Sequence, residues 1–310
     1  MKLIIQIPCL NEEQTLPITL KDLPTEVAGF DVVEWLIIDD GSIDNTVSVA
    51  KQYGVHHVIS HTSNQGLAKA FMTGIEACLK LGADVIVNTD ADNQYNANDI
   101  PKLVEPILKK NADIVIGERP ILQIEHFSFV KKILQKLGSY VVRAVSNTTI
   151  KDAPSGFRAY SRNAACNIMV YNNYTYTLET IIQAGQRNMT ICSVPIRVNK
   201  DLRRSRLVKN IPTYIKRSIV TIVRIFVIYR PFKFFCYIGT FLLLIGVLIG
   251  LRYMYYYIIN GGIGHIQSLL LSAILIIVGF QTLLIAFVAD LIASNRKLLE
   301  DIRYNIRKNI

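Results

Sequence analysis

The sequence predicts an α/β domain on a mostly parallel sheet, followed by a hairpin of two membrane helices. Three observations carry that expectation. Short apolar runs alternate with amphipathic segments over the first two thirds of the chain; acids stand at the ends of several of those runs; and two long uncharged stretches lie after Arg230.

The strand-like runs are Leu3 to Ile7, Trp35 to Ile38, His57 to Ile59, Val85 to Val87 and Ile114 to Ile116. Helical patterns fall between them: Asp44 caps one running to about Tyr53, Gly66 opens one to about Leu81, and Asn98 or Asp99 starts another through Lys110. Such βαβ alternation implies a parallel sheet with helices on both faces, and such sheets bind ligands beyond the carboxyl ends of their strands. From about Phe127 the pattern is helix, loop, helix and then a strand from Cys192 to Val198, so the sheet is expected to continue past Arg119.

Beyond the α/β domain, placed at 1–207, Ile215, Ile219, Ile222, Phe226 and Tyr229 recur at helical spacing among basic residues. Residues 208–231 therefore predict an interfacial helix, with an ordinary amphipathic helix docked on the soluble domain as the alternative. Phe234 to Leu251 and Ile266 to Ala289 hold no charge, and each approaches the roughly 20 apolar residues that cross a hydrocarbon core. They predict a hairpin over 232–292, with spans at about 234–258 and 266–290, and a basic tail over 293–310. Lys and Arg cluster before the first span and after the second, whereas the Gly-rich connection near Asn260 to Gln267 has none. The α/β domain and both termini are thus expected on the cytoplasmic side of an integral membrane protein. Met1-Lys2 leads straight into a strand, which argues against a leader peptide.

The net charge of +10 is concentrated beside the spans, where it suits anionic headgroups better than nucleic acid. Five scattered cysteines form no C-x-x-C pair and fit reduced packing residues. Gly239, Gly246 and Gly250 would allow close helix packing and hence a homo-oligomer through the spans.

Asp90-Ala91-Asp92 closes the run Val85 to Thr89, and Gln94 follows two residues on. Two hard carboxylates at a strand end suit Mg²⁺ or Mn²⁺, which takes one or two of them together with phosphate oxygens and water. A solvated acidic turn is the alternative for such a pair alone. Two further strand ends are also acidic, Asn11-Glu12-Glu13 and Asp39-Asp40, and carboxylates there can accept hydrogen bonds from ribose hydroxyls or a base N–H. Helix capping is the competing explanation for each acid singly; the three strand ends together predict a nucleotide site.

Pro8 to Glu12, Asp39 to Ser42, Asn64-Gln65-Gly66-Leu67-Ala68, Asp90 to Gln94 and Ser155-Gly156-Phe157-Arg158 give residues 1 to about 210 a resemblance to the inverting family 2 glycosyltransferases. Within that family the chain is most similar to dolichyl-phosphate mannose synthase and its bacterial polyprenyl-phosphate relatives. The resemblance implies a GT-A fold (Rossmann-like, mostly parallel sheet), a UDP- or GDP-sugar donor, Mg²⁺ or Mn²⁺, and transfer of one sugar to a polyprenyl phosphate. By it, Asp90, Asp92 and Gln94 hold the metal, and Pro8, Asn11, Glu12, Asp39 or Asp40, Asp90 and Ala91 line the nucleotide. Arg119 faces the acceptor phosphate, with Lys131 as a second candidate, and Arg204 or Arg206 closes over the diphosphate. Asp92, Arg119 and Arg206 are thereby the expected catalytic residues. The chain departs from the pattern twice. The segment Arg203 to Leu207 lacks the usual Gly, and Gly156 stands where the glucosyltransferase relatives carry an acid, leaving Asp152 as the nearest carboxylate. A phosphate monoester with a second pKa near ~6 is already largely dianionic and can serve as its own nucleophile. The competing readings are a polysaccharide synthase with a glycan acceptor and a non-catalytic nucleotide-sugar-binding membrane protein.

Overall fold

The structure is a computed structural model that describes residues 1–120, 139–140, 142–143, 146, 148–170, 176–199, 220, 223–224, 227–261 and 265–308. The chain divides into two compact units, Met1–Ile219 with Glu300–Ile310, and Val220–Leu299.

In the first unit, strands β1 (Lys2–Cys9), β2 (Val32–Asp39), β3 (His57–Ser60), β4 (Val85–Asn88), β5 (Ile114–Glu118), β6 (Arg158–Ser161) and β7 (Ile191–Pro195) form one sheet in the order β3-β2-β1-β4-β6-β5-β7. Every pairing is parallel except those of β6, which runs antiparallel between β4 and β5. Helices α1 (Leu16–Asp22), α2 (Thr46–Gln52), α3 (Leu67–Lys80), α4 (Ile100–Leu108), α5 (Arg162–Asn167) and α6 (Thr177–Gln186) accompany it. The central strands are buried along nearly their whole length, and Leu3, Ile5, Ile7, Val85 and Val87 join one core cluster. Each such side chain contributes about 1.5–3 kcal/mol on leaving water, which explains why these strands read as continuous apolar runs.

The six expected strands are present, with β7 ending at Pro195. Beyond it, only a single bridge pairs Val198 with Tyr95. Strand β6 was not apparent from the sequence. Its four residues, Arg-Ala-Tyr-Ser, show no apolar alternation, yet Arg158 and Tyr160 are fully buried, Arg158 bonded to Thr177 and Thr180 of α6 and Tyr160 packed against Phe71 of α3. Asp44, the expected cap, accepts the Thr46 backbone N–H at 3.0 Å and so serves the start of α2 from one residue before the N-cap position, which Asn45 holds.

In the second unit, α7 (Pro231–Asn260) and the first part of α8 (Ile266–Lys308) form a hairpin of helices long and apolar enough to cross a membrane. Only 11% and 17% of their most apolar windows are buried, unlike the core helices of a soluble fold. Small residues line the seam: a Cβ on Gly239 would lie 3.0 Å from the Gly279 carbonyl, and Ser272 donates a 2.7 Å hydrogen bond to the Gly246 carbonyl. The glycines expected to serve an oligomer thus pack the hairpin within one chain, where small residues let two backbones approach. The expected interfacial helix falls largely outside the described residues.

The last turns of α8 belong to the first unit, where a basic tail was expected. Arg303 and Arg307 both reach the Glu76 carboxylate of α3, at 2.6 and 2.7 Å. Arg307, buried, also donates to the Ile168 carbonyl, and Arg187 of the loop after α6 pairs with Glu300. Charge opposite Glu76 and a buried guanidinium fix what composition alone presents as a solvated basic end. Removing a charged, buried hydrogen-bonding group costs about 1.5–3 kcal/mol. Arg307→Ala should therefore lower the first unit's stability by about 2 kcal/mol in denaturant titration; an unchanged midpoint would show that the docked turns contribute nothing to it.

Candidate active site

The strand order reverses between β1 and β4, and the crevice at such a switch point is where open α/β sheets place their ligands. The carboxyl ends of β1, β2, β4 and β5 bring Glu12, Asp39, Asp90 and Arg119 to one edge. Because β6 is antiparallel, the chain entering it, Asp152 to Phe157, arrives at the same edge.

A buried polar chain forms the floor. Gln6 and Asn88 are partners across β1 and β4, and Gln6 Nε2 donates to Asn88 Oδ1 at 2.9 Å. Asn88 Nδ2 in turn donates to the Gly156 carbonyl at 2.9 Å and the Tyr176 hydroxyl at 2.8 Å. Tyr176 stacks on Phe71 with ring centroids 3.9 Å apart. The Gly156 N–H donates to Tyr95 Oη at 3.0 Å, and the Tyr95 hydroxyl bonds Asp90. Gly156 is packed against this floor: a Cβ there would stand 2.9 Å from Tyr176 Oη and 3.2 Å from both Asp90 oxygens. The absence of an acid at this position is thus a matter of space.

Burial, and then the neighbouring charge of Asp92, push the Asp90 carboxyl well above the ordinary aspartate range, while Arg119 pulls it back. Asp92 Oδ1 accepts the Gln94 N–H at 3.1 Å, and the Ala91 carbonyl accepts from Thr19 at 2.9 Å. Asn93 turns the loop in the left-handed region, φ 54°, and bonds Asp22. Two carboxylates that repel one another when charged fit a divalent cation. Asp90, Asp92 and Gln94 offer fewer ligands than the six of Mg²⁺, so a cation held there would leave coordination positions for phosphate and water.

The two acids after β2 differ. Asp40 accepts from His61 and the Gln65 and Gly66 N–H groups at 2.8–2.9 Å, so its carboxylate shapes the loop from His61 to Gly66. Asp39 is buried and accepts one such bond, from the Ser42 N–H at 3.0 Å. Gly41 (φ 76°) lets that loop cross the strand end, since a Cβ would meet the Ser63 carbonyl carbon at 2.6 Å. Glu12 accepts from Thr15 at 2.6 Å, and Asn11 Oδ1 accepts the Ile43 N–H. Pro8 lies within β1, paired with Ile38. Glu13 binds Asn45 from the surface. Lys131, Arg204 and Arg206 lie outside the described residues. The chain leading toward the latter two is anchored, however. Asn199 N donates to the Gln94 carbonyl at 2.9 Å, and Arg197 pairs with buried Asp99. Burial opposes the charge on Asp99, but bonds from Arg197 and Lys102 outweigh it and hold the carboxyl down at about 2.

Residues 4–168 match the profile of glycosyl transferase family 2. The chain belongs to that family, and it is a glycosyltransferase. It is 32% identical to an uncharacterized protein of Methanocaldococcus jannaschii over 63% of this chain and 81% of that one. It is 29% identical to the undecaprenyl-phosphate mannosyltransferase of Micrococcus luteus, covering 67% and 88%. Identity to the UDP-N-acetylglucosamine–dolichyl-phosphate N-acetylglucosaminyltransferase of Methanococcus voltae is 27%, covering 62% and 83%. Among solved structures, Mycobacterium tuberculosis glucosyl-3-phosphoglycerate synthase, crystallised with Mn²⁺, UDP-glucose and phosphoglyceric acid, superposes with a TM-score of 0.58 at 20% identity, covering 72% and 79%. That likeness establishes the GT-A fold.

Asn88, Tyr95 and Tyr176 escaped the sequence reading. Asn88 left one signal, an amide in an otherwise apolar strand.

Without metal, folded Asp90 keeps a proton that the unfolded chain releases near pH ~4, so its contribution to stability falls as pH rises from there toward neutrality. A cation must displace that proton, so Mn²⁺ should bind more tightly, and raise the melting temperature more, at pH 7.5 than at pH 5.5. Asp90→Asn should remove most of that difference; equal Mn²⁺ shifts at both pH values in the wild-type chain would reject the arrangement.

Proposed function

We propose that this glycosyltransferase moves one sugar, with inversion, from a UDP- or GDP-sugar to a polyprenyl phosphate at the cytoplasmic face of a membrane. The observation that carries the reading is a buried arginine, Arg119, beside the acidic pair Asp90 and Asp92, in a chain that also bears two exposed apolar helices. The acidic pair suits a cation-bound leaving diphosphate, the guanidinium suits a second anion, and the helices suit an acceptor whose tail stays in the bilayer. The relatives named for undecaprenyl- and dolichyl-phosphate transfer support the same acceptor class.

Asp39 and Glu12 would hold the nucleoside, with Pro8, Asn11 and Ala91 shaping the pocket. Asp90, Asp92 and Gln94 would hold Mg²⁺ or Mn²⁺, which when bound neutralises charge on the diphosphate. Arg119 would orient the acceptor phosphate toward the anomeric carbon. That phosphate attacks as a dianion and needs no general base, consistent with the space filled around Gly156. As the bond to the diphosphate breaks, positive charge near the leaving oxygens lowers the barrier. Arg204 or Arg206 would supply such charge. Arg206 lies seven residues beyond Asn199, a reach of at most about 25 Å from the Gln94 loop. Lys131 is a second candidate for the acceptor anion. The Lys and Arg flanking the helices support a cytoplasmic position for the first unit and both termini.

Membranes containing the protein, given labelled nucleotide sugars and polyprenyl phosphate, should accumulate label in a mild-acid-labile lipid. Label confined to polymer would establish a glycan acceptor instead. Asp92→Ala should reduce turnover by about 10²-fold or more, and activity near wild type in chelator would reject the metal site. Arg119→Ala should chiefly raise the KM for the lipid phosphate; unchanged acceptor kinetics would remove Arg119 from that role.

A further inference from the structure

Asp152 is fully buried, and both its oxygens are committed to one partner. Arg119 Nε donates to Oδ2 at 2.7 Å, Arg119 Nη2 to Oδ1 at 2.9 Å, and the Arg119 backbone N–H to Oδ2 at 3.2 Å. Both oxygens of this buried carboxylate are turned onto Arg119.

The consequence lies on the arginine. A guanidinium has five N–H donors, and either its Nε–Nη2 edge or its Nη1–Nη2 end can grip a carboxylate or phosphate in two places. In Arg119 the Nε–Nη2 edge is spent on Asp152. Both Nη1 donors and one on Nη2 have no acceptor among the described residues, although the Arg119 side chain is only 8% exposed. A buried arginine left with free donors next to Asp90 is a built anion contact, and its direction is set by Asp152. The clamp is itself held in place. Ser155 N donates to the Asp152 carbonyl, Ala153 N to Ser139 Oγ, and the buried Arg158 ties down the Ala153 and Ser155 carbonyls at 2.7 Å each.

We infer that Asp152 is a positioning residue for the acceptor: it occupies the Nε–Nη2 edge of Arg119 and so turns the opposite Nη1–Nη2 end toward the acceptor phosphate. This rests on the acceptor assignment made above. That end still offers two parallel N–H groups, which fix the orientation of the phosphate.

The test uses the full-length protein in detergent, with a short-chain prenyl phosphate as one probe and UDP or GDP with Mn²⁺ as the other. Asp152→Asn should weaken prenyl phosphate binding about tenfold or more, the loss expected when a charged hydrogen-bonding group is misplaced. Nucleoside diphosphate binding should change by less than about twofold. Equal affinity for prenyl phosphate in the variant and the wild type, or an equal loss for both probes, would overturn the inference. Should Asp152→Asn fail to fold, the double variant Arg119→Gln with Asp152→Asn removes both buried charges and decides. It should bind prenyl phosphate as Arg119→Gln alone does, and a further loss would overturn the inference. A wild-type protein that binds the nucleotide but no prenyl phosphate would refute the acceptor assignment and the positioning role together. Wild-type binding that persists unchanged in Asp152→Asn refutes the positioning role alone.

Discussion

The guanidinium of Arg158, fully buried at the start of β6, is the interaction on which the site's back wall depends. Taking such a charge out of water costs several kcal/mol unless its donors are met. Here Nε and Nη2 donate to the Ser155 and Ala153 carbonyls, and Nη1 to the Thr177 carbonyl and the Thr180 hydroxyl. No carboxylate pairs with it among the described residues; oriented backbone and hydroxyl oxygens do the work of a counter-ion. The result is a loop from Asp152 to Phe157 drawn tightly onto the first turn of α6. Asp152 then meets Arg119, and Gly156 presses against Asp90.

The same wall explains how acids of similar appearance come to have different work. Asp40, Asp99 and Asp152 are saturated by donors and hold segments of the chain in place. Asp90 is short of donors and close to Asp92, so its charged form is disfavoured. A carboxylate that is satisfied by the protein is structural; one that the protein leaves in want is a candidate for recognising a ligand. Arg119 shows both behaviours in one side chain, with one edge satisfied and the other not.

The hairpin follows a different logic. Its outer surface is apolar and exposed, and its seam relies on glycine and serine rather than on greasy burial, because helices in lipid associate through close packing and hydrogen bonds. The last turns of α8 return to the first unit, where paired charges and a buried arginine, not apolar area, provide the attachment.

Much was legible from the order of residues alone. Continuous apolar runs announced the buried parallel strands, acids at their ends fell on the sheet edge where such folds place ligands, and two uncharged stretches announced the hairpin, because burial and the absence of water impose those patterns locally. What remained hidden depends on neighbours distant in the chain. Strand β6 has no apolar alternation, and its place between β4 and β5 comes from pairing with partners 42 to 76 residues away. The difference between Asp39 and Asp40 lies in which backbone N–H groups the loop after β3 delivers. The commitment of Asp152 to Arg119, and the lack of room at Gly156, exist only once β5 and β6 are paired, since a hydrogen bond or a steric contact belongs to two residues and a sequence shows each of them singly.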